Sequence, residues 1–223
     1  MSVCISPPRD APTRAQWASG SASSCPPTGS TGAGYRVQDG YAARAGPRHG
    51  AAPMKNDHLT PRDAPITVGE SAPDFTLLDQ DRREVSLSGL LLEAAGGDVV
   101  LSFYPLDFTG TCTTEMETFT RDKARLESAG ALVVGISCDS FACHKAFAEK
   151  HGLDLPLLAD MHRQVCRAYG FFWPDLNVAS RGTVVVGPDR RVTWVSAREP
   201  GDAIRMEDVL GALGRADADA DTA

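Results

Sequence analysis

The side chains best suited to covalent chemistry in this 223-residue chain are its six cysteines: Cys4, Cys25, Cys112, Cys138, Cys143 and Cys166. Their contexts differ. Cys112 closes the string Pro105-Leu106-Asp107-Phe108-Thr109-Gly110-Thr111-Cys112, eight residues beyond an apolar run, Val99 to Tyr104, that reads as a buried strand. From Cys112 onward, Met116, Phe119 and Leu126 recur at helical spacing, so the cysteine opens a helix and shares its apolar stripe. At a helix start, unpaired N–H groups and the positive end of the macrodipole favour the thiolate, the form of sulfur that reacts. A sulfur on the apolar stripe points inward, toward a partly enclosed pocket. Thr109, about one turn earlier, brings a hydroxyl able to bond sulfur or an incoming oxygen, and Pro105 supplies a rigid wall without an N–H. The competing reading of a buried cysteine is a small hydrophobe.

The elements that must position these residues follow from the same patterning. The runs Leu132 to Ile136 and Thr183 to Val186 lack polar alternation and suit strands covered on both faces of a largely parallel sheet. Helices are expected over Cys112 to Ala129, ended by Gly130, and over Phe141 to His151, closed by Gly152. Shorter helices are expected around Arg163 to Tyr169 and Met206 to Leu213. Gly187-Pro188-Asp189-Arg190 reads as a hairpin turn into Val192 to Val195. The order βαβ, then hairpin, then a last helix makes an α/β sandwich.

Composition bounds the function. Hydrophobic residues make up 42% of the chain and charged residues 23%, enough for one domain with a real core. No stretch approaches eighteen apolar residues, so no membrane-spanning helix is expected. The net charge is −7 with scattered Lys and Arg, which argues against nucleic acid and anionic lipid as partners. Residues 1–53 contain no Leu and no Phe, while Gly, Pro, Ser and Ala supply 31 of the 53. They read as a disordered leader, residues 54–214 as the folded domain, and residues 215–223 as a disordered acidic tail. Pro7 and Pro8 interrupt any apolar signal segment, so a cytoplasmic location and reduced thiols are expected.

Three stretches carry a family resemblance. Phe103 to Glu115, FYPLDFTGTCTTE, resembles the PxxxTxxC motif of the peroxiredoxins, in the AhpC/TSA group. APDFTLLDQDRREVSL is similar to that family's opening hairpin, and LPLLADMHRQVCRAYGFF to its mid-domain strand and helix. Ser180-Arg181-Gly182-Thr183 looks like its RGT strand, whose arginine enters the active site. The resemblance covers about residues 66–214. It implies a thioredoxin-like α/β fold, with a mixed central sheet flanked by helices, and a thiol-dependent peroxidase. Cys112 would be the nucleophile, Arg181 and Thr109 its electrostatic partners, Pro105 the shield and Glu115 the carboxylate that orients the arginine. Phe103 and Phe108 would line the pocket. No cofactor and no metal are implied.

The thiolate would attack a peroxide oxygen, and the resulting sulfenic acid must then meet a second thiol. Position 117 is Glu117, position 148 is Ala148, and nothing after Cys166 is cysteine, so the usual resolving positions of the family are vacant. Cys138, Cys143 and Cys166 read as core or bystander thiols, the alternative being that one of them resolves Cys112 in an intramolecular disulfide. The pattern, with SRGT and the WVSAREPGDAIR ending, is nearest the one-cysteine, AhpE-like branch. An external reductant is then implied: thioredoxin, a glutaredoxin-like protein or a low-molecular-weight thiol. A homodimer or larger homo-oligomer is expected, and an antioxidant role. Cys-x-x-Cys chemistry is excluded because Thr109 and Glu115 stand three residues either side of Cys112, and a Cys-x-x-x-Cys copper site because Phe108 and Met116 do. A peroxide sensor relaying oxidation to a partner protein would use the same Cys112 chemistry.

Overall fold

The computed structural model describes residues 55–220, with side chains described through Gly214. The expected leader, residues 1–53, and positions 221–223 of the expected tail lie outside the described residues. Along the chain run β1 (Thr76–Leu78), β2 (Glu84–Ser86), α1 (Leu87–Glu93), β3 (Asp98–Phe103), α2 (Gly110–Arg121) and α3 (Lys123–Ser128). Then come β4 (Ala131–Ser137), α4 (Phe141–His151), β5 (Leu157–Ala159), α5 (Gln164–Ala168), β6 (Phe172–Trp173) and β7 (Val178–Ala179). The last elements are β8 (Gly182–Val186), β9 (Val192–Ala197) and α6 (Met206–Ala220).

Seven strands form one mixed sheet in the order β2-β1-β5-β4-β3-β8-β9, and β6 pairs with β7 separately. The central strands β3, β4 and β5 are parallel, as expected for runs without polar alternation. The β8–β9 hairpin adds on antiparallel to β3, with Phe103 opposite Gly182.

Side-chain alternation splits the core into two layers. Val99, Leu101 and Phe103 of β3 join Val134, Ile136, Val184 and Val186 in a layer with α1 and α5. Val100 and Tyr104 join Val133, Val185 and the apolar stripe of α2, with α4 and α6. Burying a Val, Leu or Phe side chain fully contributes about 1.5–3 kcal/mol, so a strand covered on both sides anchors whatever loop follows it. All six residues of β3 are buried, and the loop leading to Cys112 follows it.

Two glycines permit close packing where the layers meet the sheet. A Cβ on Gly135 would lie 2.9 Å from the Met116 sulfur and 2.9 Å from Leu157 Cδ2, so a glycine in β4 lets α2 rest on the strand. A Cβ on Gly182 would lie 2.0 Å from the Phe171 ring. Gly182 therefore gives up its side of β8 to Phe171, and Arg181, one residue earlier, faces the other layer.

The structure differs from the sequence reading in particular places. The helix expected over Cys112 to Ala129 starts at Gly110 and breaks at Asp122, whose φ of −95° and ψ of 9° leave the helical region before α3 begins at Lys123. The last helix continues past Leu213 to Ala220, so residues 215–220 of the expected tail are helical; Ala and Arg favour helix and no Pro stops it. Helix α1 and the β6–β7 pair were absent from the expected elements. Both are short, and their stretches carry no long run of either period.

Candidate active site

The chain between β3 and α2 is held by its own polar groups. Tyr104, buried at the end of β3, donates its hydroxyl to Asp107 Oδ1 at 2.8 Å. Asp107 Oδ2 lies 2.9 Å from Nδ1 of the fully buried His144 on α4. The Asp107 N–H donates to Asp139 Oδ2 at 2.9 Å, beyond the end of β4. Phe108 then takes a φ of +60°, a left-handed conformation costing a non-glycine residue about 1 kcal/mol. Its ring packs on Phe147 at 5.1 Å between centroids. The loop is thus fastened to β3, β4 and α4 before α2 begins. Burial, and then the negative charge of Asp107, keeps the Tyr104 phenol well above its ordinary pKa, so it remains a donor.

Thr109 is the N-cap of α2 by its backbone, and Cys112 is the third helical residue. The Gly110, Thr111 and Cys112 N–H groups have no carbonyl partner inside the helix, which leaves a positive end beside the sulfur. Cys112 is 1% exposed.

Opposite it stands Arg181. Its Nη2 donates to Cys112 Sγ at 3.0 Å, its Nη1 is ion-paired with Glu115 Oε2, and its Nε donates to the Pro200 carbonyl at 3.0 Å. Glu115, one helical turn past Cys112, is fully buried, and its second oxygen lies 2.8 Å from Arg198 Nη2. Arg198 also donates to Thr183 Oγ1 at 2.7 Å and to the Asp202 carbonyl at 3.0 Å. Two guanidinium groups and one carboxylate sum to one positive charge in a dry site. An anionic sulfur cancels it, and buried charge without such a partner is costly.

Of the five expected site residues, the structure joins Cys112, Glu115 and Arg181 in one bonded cluster. Pro105 is buried at the start of the connecting loop. Thr109 departs from expectation: it is exposed and its hydroxyl donates to the Leu106 carbonyl at 2.9 Å rather than to sulfur. Phe103 points away from the site, stacked on Phe171 at 5.1 Å and near Tyr169 at 5.3 Å, because odd-numbered residues of β3 face the other layer. Phe108 lies partly exposed at the loop. Arg198, Asp107 and His144 were not foreseen as site residues. A signal for Arg198 existed in the β8–β9 hairpin: its N–H donates to the Arg181 carbonyl at 3.0 Å, one step beyond the Gly182–Ala197 pair. A bulge between Val185 and Val186 shifts the register, and counting back from the turn without it misses that pairing.

The AhpC/TSA family model matches residues 68–195, more than half of the chain. The chain belongs to the AhpC/TSA family. It is 35% identical over 153 residues to alkyl hydroperoxide reductase E of Mycobacterium tuberculosis, covering 66% of this chain and 98% of that one. It is 41% identical over 120 residues to the chloroplastic peroxiredoxin Q of Sedum lineare, covering 54% of this chain and 61% of that one. Among solved structures, peroxidoxin BcpB from Mycobacterium tuberculosis superposes with a TM-score of 0.61 at 31% identity, covering 67% of this chain and 97% of that one. Mycobacterium tuberculosis AhpC superposes with a TM-score of 0.63 at 26% identity, covering 70% and 95%. This AhpC/TSA peroxiredoxin is an oxidoreductase with a thioredoxin-like fold, a thiol-dependent peroxidase, and the sheet and helices described above are those of its relatives.

Proposed function

We propose that Cys112 is the peroxidatic thiol and that hydrogen peroxide or an alkyl hydroperoxide is the substrate. The observation that carries the reading is the 3.0 Å hydrogen bond from Arg181 to Cys112 Sγ inside a buried site with one positive charge to spare. The thiolate attacks one peroxide oxygen, the O–O bond breaks, and the distal oxygen leaves as hydroxide or alkoxide, which takes up a proton. Sulfur becomes sulfenic acid. Charge moves from sulfur to the leaving oxygen, so donors already aimed at sulfur follow it: Arg181 and the free N–H groups of α2. Glu115 and Arg198 hold the Arg181 fork in place. Pro105 closes the site without a competing donor. Thr109 serves a substrate oxygen only if its hydroxyl leaves the Leu106 carbonyl to which it now donates.

The sulfenic acid is reduced from outside the chain: a thiol condenses with it, water leaves, and a second thiol releases the mixed disulfide. Cys138 and Cys166 pack on the layer opposite Cys112, which supports this route. Burial and the Asp107 carboxylate push the Cys143 thiol up to about 12, which makes it a poor nucleophile at neutral pH. Thioredoxin, a glutaredoxin-like protein and small thiols all fit as donors, in the cytoplasm, with the protein as a homodimer or larger homo-oligomer. Peroxide consumption with a thiol donor tests the assignment: Cys112→Ser should fall to the uncatalysed rate, while retained turnover would reject Cys112.

A further inference from the structure

Outside the Cys112 cluster, two groups of potential metal ligands lie within the described residues: Asp107 with Asp139 and Cys143, and Cys138 with Asp160 and Cys166. The first is already spent. Both Asp107 oxygens serve Tyr104 and His144, and Asp139 Oδ2 accepts from Ser137 and from the Asp107 N–H.

The second group is different. Cys138 Sγ and Cys166 Sγ are 3.8 Å apart, and the Asp160 ligand atom lies within 4.8 Å of both. Two sulfurs bound to one tetrahedral zinc at about 2.3 Å each must stand about 3.8 Å apart, so the thiols already have the required spacing. Asp160 is 1% exposed. Its oxygens accept the Gln164 and Cys166 N–H groups, at 3.0 and 2.8 Å, together with the Val165 N–H and the Cys166 thiol, and no Lys, Arg or His forms an ion pair with it among the described residues. A buried carboxylate without a cationic partner is costly, and such groups are found paired or on a metal.

We infer that Cys138, Asp160 and Cys166 form a binding site for a thiophilic divalent cation of the zinc type, separate from the peroxidase centre. Binding converts two thiols to thiolates and releases two protons, with no change of oxidation state. Two sulfurs and one oxygen fill three tetrahedral positions, and water takes the fourth. Magnesium and calcium, which demand oxygen ligands, are excluded by the sulfurs. The three residues come from the ends of β4 and β5 and from α5, so the cation ties these elements together. Asp139, next to Cys138, holds the active-site loop through the Asp107 N–H.

The test is zinc titration of the fully reduced, full-length chain against a chromophoric chelator. The wild type should bind one more zinc per chain than Cys166→Ala or Asp160→Asn, whose affinity at this site should fall about a hundredfold or more. Magnesium should not compete. Circular dichroism checks that the variants fold. A second measurement leaves the site intact: in a chain with Cys4, Cys25 and Cys112 replaced by serine, cadmium should produce a thiolate-to-metal absorption band of two thiolates. Equal zinc binding by wild type and both variants, or no cadmium band, would overturn the assignment.

Discussion

Cys112 and Cys166 are equally buried, on opposite layers of one sheet, and their neighbours carry opposite charge. Cys112 faces the Arg181 guanidinium at 3.0 Å and the positive end of α2. Cys166 faces the Cys138 thiol at 3.8 Å and the Asp160 carboxylate. The contact with Cys138, then burial, then the negative charge of Asp160 all push the Cys166 thiol far up, so it stays protonated at neutral pH. Burial alone therefore does not decide what a thiol does. The sign of the charge within hydrogen-bonding distance does, because removing water strengthens that interaction.

The contrast is broken most easily by alkylation. At pH 8, with Cys143 held at about 12, only about one part in ten thousand of it is thiolate. Iodoacetamide should consume Cys112 while Cys143 and Cys166 remain unmodified, and Cys143 labelling should speed up about tenfold per pH unit toward 12. Peptide mapping checks this, and early labelling of Cys143 would contradict it.

Arg181→Lys keeps the charge but loses the fork that reaches sulfur, Glu115 and Pro200 together. The rate constant for oxidation by peroxide, read by stopped flow, should drop about 10²- to 10³-fold, the usual cost of losing one donor to a developing anion. Glu115→Gln leaves two buried guanidinium groups against one another. Stability measured by denaturant unfolding should fall by about 3–5 kcal/mol, with the oxidation rate falling less than in Arg181→Lys. Thr109→Val should be mildest. Its hydroxyl bonds only the Leu106 carbonyl, so the oxidation rate should change less than about tenfold.

The legible parts of the molecule were those with a strong local pattern. Helix α4 matches its expected span from Phe141 to His151 because Ser140 caps it and Gly152, with a φ of +61°, ends it. Strands β3 and β4 fall within a residue of expectation because they are buried on both faces. Cys112, Glu115 and Arg181 were legible through strings that resemble a family, and their mutual distances then followed from the fold. What could not be read depends on long-range pairing. Arg198 reaches Glu115 through a bulged hairpin, His144 reaches Asp107 across 37 residues, and Cys166 reaches Cys138 across 28. Phe103 was assigned to the wrong layer, since its place depends on strand alternation rather than on proximity in sequence to Cys112.

The guanidinium-facing sulfur alone should react with peroxide. Intact-mass analysis and peptide mapping after one equivalent of hydrogen peroxide, with a dimedone-type trap present, test it most directly. A single adduct on Cys112 is expected, and added low-molecular-weight thiol should diminish it. A loss of about two mass units without any adduct, mapped to a bridge between Cys112 and Cys138, Cys143 or Cys166, would contradict it, because that bridge needs Cα atoms within about 7 Å.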